Sequence, residues 1–211
     1  TGEIVWAWHV WDHLVQDYDP AKDNYGAVAA HPELIDLNYR TGHGPDWNHI
    51  NGIDYHPSLD QILLSVREFS EIWIIDHRAT ITEARGPAGN LLYRWGNPAA
   101  HGSVISQTLF GQHNAEWIEP GLHGAGDILL FNNGVGRTPA RSSVDQLTLP
   151  VDQQGVYTSG PATLTWSYEL PAELYSGKIS GAQRLPNGNT LICSGDPGLL
   201  REVSVAGDVV W

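Results

Sequence analysis

The 211-residue chain contains a single cysteine, so no intrachain disulfide can brace it. Cys193 lies in the apolar run Thr190-Leu-Ile-Cys-Ser194 and reads as a small buried hydrophobe rather than a nucleophile. Methionine is absent and there is no signal-peptide pattern. No apolar run approaches the roughly 20 residues that a membrane-spanning helix needs. Bases are scarce: 11 Lys and Arg stand against 24 Asp and Glu, a formal charge of −13 at pH 7. Such a chain has no basic footprint for a phosphate backbone, and a nucleic-acid partner is not expected. Metal-site spacings of the H-x-H or HExxH type are missing. The ten histidines, with Asp46, Asp54 and Asp76, keep a His/carboxylate site open only as an alternative to the expectation of no metal. Gly86-Pro-Ala-Gly-Asn and Gly134-Val-Gly are turn signals, lacking the Lys-Ser/Thr and following helix of a phosphate loop. No cofactor is expected.

What the chain does have is an apolar, aromatic-rich composition, 41% hydrophobic with nine Trp and eight Tyr. Its densest stretch runs from Asp46 to Asp76. There residues 51–55, Gln61–Val66 and Glu71–Asp76 read as strands separated by His-Pro-Ser-Leu-Asp and Arg-Glu-Phe-Ser turns, and residues 91–95 supply a fourth. The layout returns at 112–118, 127–131 and 163–168, and again at 181–185, 189–193, 198–203 and 209–211. Copies begin near His49, His113 and Ser180, a period of roughly 65 residues. Each closes on a strand carrying Trp: Trp95, Trp166 and Trp211, with Trp6 in an opening strand over residues 2–8. Repeated units of short antiparallel strands and tight turns predict an all-β fold made of β-propeller blades rather than a sandwich. The expected division is the end of one blade at 1–8, a long connection with a short helical turn over 9–46, and blades near 47–97, 110–170 and 178–211. Three blades do not close a ring, so the chain reads as a piece of a longer or processed protein, or one that self-associates as a homo-oligomer to cover an open edge.

First strands of propeller blades line the central channel, so His49 and His113, each four residues before an apolar residue (Ile53, Trp117), are expected to converge at one mouth. Imidazole titrates near neutrality and serves there as acid, base or nucleophile. Arg137, on the glycine-bounded turn after Phe131-Asn-Asn-Gly, offers a guanidinium for a tetrahedral oxyanion. Asn51, Asn114 and Asn133 are candidate substrate-binding donors; turn closure is the competing reading for each, and for Asn132. The other early histidines, His9, His13, His31, His43 and His123, read as solvated loop residues. The nine Trp read mainly as core packing.

Asp46-Trp-Asn-His-Ile-Asn-Gly-Ile-Asp-Tyr, the Gln61–His77 segment, Phe110-Gly-Gln-His-Asn-Ala, Leu130-Phe-Asn-Asn-Gly and Ser180-Gly-Ala-Gln-Arg-Leu-Pro-Asn-Gly-Asn-Thr-Leu-Ile-Cys resemble bacterial arylsulfate sulfotransferases over essentially the whole chain. The resemblance implies a six-bladed propeller, periplasmic or secreted, that moves sulfate from a phenol ester to another phenol without a nucleotide donor. It implies phenols and aryl sulfates as partners, and His49, His113 and Arg137 as active-site groups. The family works through a sulfated histidine that comes later in the chain. Here no histidine follows His123, and Ser180 is expected in the third copy's slot. Either the nucleophile lies beyond Trp211 or this branch lacks it, and in the second case a propeller that only binds a ligand or a protein is the competing function.

Overall fold

The computed structural model describes residues 2–40 and 44–211; the loop histidine His43 lies outside the described residues. The chain is all-β, with short 3₁₀ turns and no α-helix among the described residues. Two four-stranded antiparallel meanders and a three-stranded one follow in chain order. The first is β3 (Ile50–His56), β4 (Gln61–Val66), β5 (Glu71–Asp76) and β6 (Tyr93–Trp95), preceded by a small parallel pair, β1 (Leu14–Val15) and β2 (Ile35–Asp36). The second is β7 (His113–Trp117), β8 (Ile128–Asn132), β9 (Ser143–Thr148) and β10 (Thr163–Glu169). The third is β11 (Gly181–Arg184), β12 (Thr190–Ser194) and β13 (Leu199–Val203), to which Val203↔Val209 adds a bridge in place of a fourth strand. The first strand β7 lies against both β3 and β11, and the described residues do not close a ring.

The central strands show why these segments pair. Every residue of β4 is buried, and all but Asp76 of β5, so both faces of the first sheet are covered. The two-residue strand period sends Leu63, Ile72 and Ile74 towards Ala115, Trp117, Ile128 and Leu130 of the second sheet. It sends Ile62, Leu64, Trp73 and Ile75 the other way, against Trp6, Trp8, Val10, Leu14 and Ile35. Full burial of each such side chain is worth roughly 1.5–3 kcal/mol. A third core joins Leu129, Phe131 and Val144 to Ala182, Ile192 and Val203. Turn chemistry follows the sequence: in Pro186-Asn-Gly, Gly188 takes φ +87 and its N–H bonds Leu185 O at 2.9 Å.

Four sequence expectations change. The strand over residues 2–8 does not form; none of the described strands pairs with it. Ile4 and Val5 are exposed, and the segment is held instead by Trp6 Nε1 donating to Ala79 O (2.9 Å) and Trp8 Nε1 to Gly89 O (2.7 Å). His13 is fully buried rather than solvated; its ring stacks on Trp8 at 5.1 Å and its Nδ1 meets Asn90 Oδ1 at 2.9 Å. Cys193 is exposed rather than buried, because its register with Gly181 and Leu200 puts it on the uncovered face of the third sheet, while the neighbouring Ile192 faces the core. The strand β9 has no apolar alternation to announce it. Its Asp145 and Gln146 are buried yet satisfied, Asp145 by Asn132 Nδ2 (2.9 Å) and Ser167 Oγ (2.7 Å), Gln146 by Asp127 and Arg184.

Candidate functional site

His49 stands just before β3 in the left-handed region (φ +46), its carbonyl taken by Arg67 N–H at 3.1 Å. That strained turn swings the ring to Asp46, whose Oδ2 accepts from Nδ1 at 2.5 Å, and leaves the side chain 38% exposed. His113 opens β7 and pairs with Phe131. The matched spacing of the two histidines is corrected by the strand register. Tyr55 pairs with Ile62 and Trp117 with Ile128, at equivalent rungs of the shared Ile-Leu-Leu. Both first strands are irregular beyond those rungs: His113 faces Phe131, whose equivalent Ser65 faces Gly52, so His49 lies further out than His113.

His113 is enclosed, at 9% exposure. Its Nδ1 faces two acceptors, Asn133 Oδ1 at 2.8 Å and Gly111 O at 3.2 Å. The orientation of the Asn133 amide is itself determined, because its Nδ2 donates to two backbone carbonyls, Ser176 O (2.8 Å) and Ile179 O (2.9 Å). With Oδ1 and a carbonyl facing it, Nδ1 must carry the hydrogen, and Nε2 keeps its lone pair. Burial pushes the imidazole below its ordinary pKa. The Arg67 and His49 charges act in the same direction, while the bonds to Asn133 and Gly111 oppose it. Arg67 and His49 adjoin through the backbone bond from Arg67 N–H to His49 O.

The asparagines take other parts. Asn133 is wholly buried and its amide is fully engaged, so it holds the His113 ring rather than presenting a donor to substrate. Asn51 ties the first sheet to the second through Nδ2 to Gln112 O (2.8 Å), with its Oδ1 buried and unbonded among the described residues. Asn114 (φ +51) ties the second to the third, its Oδ1 accepting Ala182 N–H at 3.2 Å. Position 181 must be glycine for this approach, since a Cβ there would lie 2.1 Å from that oxygen.

Arg137 is turned to different partners from the two imidazoles. Its guanidinium lies 5.0 Å over the Phe110 ring and donates to Ser143 Oγ (3.2 Å) and Thr108 O (3.4 Å). Burial lowers its pKa, partly offset by Asp145. The turn needs Gly134 (φ +78), where a Cβ would meet Arg141 O at 1.7 Å. Phe110 leads through Gly111 and Gln112 to His113, so Arg137 is one short segment from the buried imidazole. From the sequence, Asp46 was a candidate only for the metal alternative, and Arg67 was not a candidate at all. The signal for Arg67 was its place on the turn that closes β4, opposite the start of β3.

The carboxylates of the metal alternative do not converge. Asp46 holds His49, Asp54 accepts Trp117 N–H at 2.7 Å, and Asp76 pairs with Arg78 at 2.7 Å. At the far ends of the same first strands a cavity of about 870 Å³ is lined by Asp54–Ser58, Glu116–Pro120 and Gln183–Pro186 side chains. Burial, with Asp54 and Glu119 nearby and against the Asn114 hydrogen bond, pushes Glu116 up to about 7.

The Nε2 atoms of His49 and His113 bond to none of the described residues, and the Arg67 guanidinium beside them is ion-paired to Glu68; imidazoles so placed are chemically able to move a proton or a group to and from an anion. A family model described as Arylsulfotransferase (ASST) matches residues 1–208. No curated protein matches the chain.

Proposed function

Since the chain belongs to the arylsulfotransferase family, we propose that it moves a sulfuryl group from an aryl sulfate ester to a phenol, without a nucleotide donor, where His49 and His113 stand. The observation that carries this reading is the paired imidazoles, each with Nδ1 committed to an acceptor, Asp46 for one and Asn133 for the other. Both therefore keep Nε2 for chemistry. Charge develops on the departing phenolate and on the SO₃ oxygens during transfer, and Arg137 supplies positive charge, with Arg67 held by Glu68. In this reading the three meanders are blades of a six-bladed propeller, near 47–97, 110–170 and 178–211, whose first strands border the channel. No helix of the described residues is long and apolar enough to cross a membrane, and a periplasmic or secreted setting is part of the same proposal. So is self-association over the open face of the third sheet, where Leu200 and Val210 are exposed.

A non-catalytic binding propeller is the second reading, favoured by Ser180, which stands before β11 and whose Oγ is taken up by Ser176 Oγ, Lys178 O and Gly195 N–H. One assay separates the two. The full chain is incubated with 4-nitrophenyl sulfate and a phenol acceptor, with nitrophenolate followed by absorbance and the new aryl sulfate by mass spectrometry. Transfer requires both products in equal amounts; their absence rejects the enzyme reading.

A further inference from the structure

We propose that the cavity of about 870 Å³ at the far ends of the first strands binds a small organic ammonium ion that carries a hydroxyl group. This site stands apart from sulfuryl transfer. It lies at the opposite ends of β3 and β7 from His49 and His113, and its walls are the ends of β3, β7 and β11 with the turns that follow them.

Three features of the walls point to that chemistry. The first is a single enclosed carboxyl with an oxygen to offer. Asp54 gives one oxygen to Tyr55 N–H (2.8 Å) and the other to Trp117 N–H (2.7 Å), and Glu119 is exposed at the rim. Glu116 is half-buried. Asn114 Nδ2 donates to its Oε2 at 3.3 Å, while Oε1 bonds to none of the described residues and is not sealed from open space. One such carboxylate suits one positive charge; a divalent metal needs several ligands, and no group of three His, Cys, Asp or Glu fit to hold one occurs among the described residues. The second feature is the Trp117 indole. Trp117 is only 8% exposed, with the His56 ring edge-on at 5.2 Å, yet its Nε1–H bonds to none of the described residues and is not sealed either. A buried indole N–H usually has an acceptor. In the cavity that acceptor is water or the oxygen of a bound molecule, and a hydroxyl serves. The third feature is the lining of Trp117, Tyr55 and Leu122, whose rings and apolar surface can face a cation and cover its hydrocarbon body.

The charges around Glu116 favour a cation over an anion. Asp54 faces it from β3 and Glu119 from the turn after β7, and Asn114 approaches from its own strand. His56, at the end of β3, accepts Leu59 N–H at Nδ1 (3.2 Å), so its hydrogen sits on Nε2. The one Lys or Arg on the wall is Arg184 of β11, and it is committed elsewhere. Its Nη1 donates to Gly188 O (3.2 Å), its Nη2 to Gln146 Oε1 (2.6 Å), its guanidinium lies 5.1 Å over Trp166, and its Nε is sealed. The formal charge of −13 draws cations to the chain as a whole. Burial, reinforced by Asp54 and Glu119, keeps Glu116 at about 7. An ammonium ion arriving there displaces the carboxyl proton, so binding strengthens as pH rises through that value.

The test is titration calorimetry of the full chain with 2-amino-1-phenylethanol at pH 7, in two buffers of different ionisation enthalpy. Three relatives of the probe run beside it: 1-phenylethane-1,2-diol lacks the charge, mandelate reverses it, and 2-phenylethylamine lacks the hydroxyl. None is a phenol or a sulfate ester, so none is a substrate for sulfuryl transfer. Expected is saturable one-site binding of the amino alcohol with release of about half a proton. The diol and mandelate should bind about tenfold more weakly or worse. Affinity for the amino alcohol should fall roughly 30-fold from pH 8 to pH 5.5. Glu116→Gln keeps the size of the side chain and an oxygen for Asn114; it is expected to lose about tenfold or more in affinity, together with the proton release and the pH dependence. Trp117→Phe keeps a ring and removes the indole N–H, and should weaken the amino alcohol by about fivefold or more while leaving 2-phenylethylamine unchanged. No binding at millimolar probe, equal binding of the diol or mandelate, or unaltered affinity and proton release in Glu116→Gln overturns the ammonium site. Equal affinity of Trp117→Phe and the unaltered chain for the amino alcohol overturns the hydroxyl contact. Each of these failures leaves the nitrophenolate assay, and the reading it tests, untouched.

Discussion

Replacing Asn133 with leucine tests the clamp behind His113. Leucine is close in shape to asparagine and removes the acceptor for His113 Nδ1 together with both amide donors. The consequences can be counted. His113 Nδ1 falls back on Gly111 O at 3.2 Å. Ser176 O keeps one long contact, from Ser142 Oγ at 3.4 Å. Ile179 O loses its donor from Asn133, in a loop where Ile179 (φ +49) and Ser180 (φ +86) are both left-handed. Each buried polar group left without a partner costs about 1–3 kcal/mol. One orphaned carbonyl and one poorly served carbonyl therefore predict a loss of about 2–4 kcal/mol, a large share of a domain's total stability. Urea unfolding with linear extrapolation reads this directly. Release of the ring also predicts a fall in kcat/KM for 4-nitrophenyl sulfate on the order of 10²-fold, the cost of small misplacement of a reacting group. A double-mutant cycle with His113→Phe should show a coupling of about 0.5–3 kcal/mol. If the variant unfolds within about 0.5 kcal/mol of the unaltered chain and keeps its kcat/KM, the clamp argument is wrong.

Other outcomes follow from the same structure. Arg94→Met strands the Glu71 carboxylate, which is almost wholly buried and pairs with Arg94 Nη2 at 2.5 Å and Trp73 Nε1 at 2.7 Å; a loss of about 3–5 kcal/mol is expected by chemical denaturation. His113 and His101 both have folded pKa values below the ordinary 6.5, so the unfolded chain binds more protons once pH drops under that value. Their stabilising contribution is complete above about pH 6.5 and declines as pH falls through the lower folded values, which a pH series of urea midpoints should show as reduced stability on the acid side. Glu116, at about 7 when folded against 4.5 as the reference, has the opposite sign: it costs stability as pH rises from 4.5 to 7. Glu116→Gln should therefore raise the unfolding free energy from urea titration at pH 8 by roughly 1–2 kcal/mol relative to the unaltered chain, after allowing for solvent screening, and change it little at pH 4.

Much of the fold was legible because local signals agreed with the tertiary outcome. Gln61–Val66 and Glu71–Asp76 are strands at the bounds read from sequence, since six-residue apolar runs bounded by polar turns have little else to become. The Pro-Asn-Gly turn and the glycine-bounded turn before Arg137 were equally plain. The strand β9 was not, because its buried polar side chains are satisfied only by partners on neighbouring strands. Residues 2–8 showed the converse: an alternating pattern predicts a strand only where another strand is in reach to pair with it.

The site divides along the same line. The sequence by itself determined that a strand-rich, acidic chain places imidazoles ahead of two successive first strands, and that an arginine follows Phe131-Asn-Asn-Gly. Only the tertiary structure decided which ring is enclosed, which is open to solvent, and which nitrogen of His113 bears its hydrogen. Those properties depend on Asn133, Ser176 and Ile179, brought behind the ring by the packing of the third sheet on the second. A tautomer is set by the acceptors that surround a nitrogen, and acceptors dozens of residues apart become neighbours only on folding.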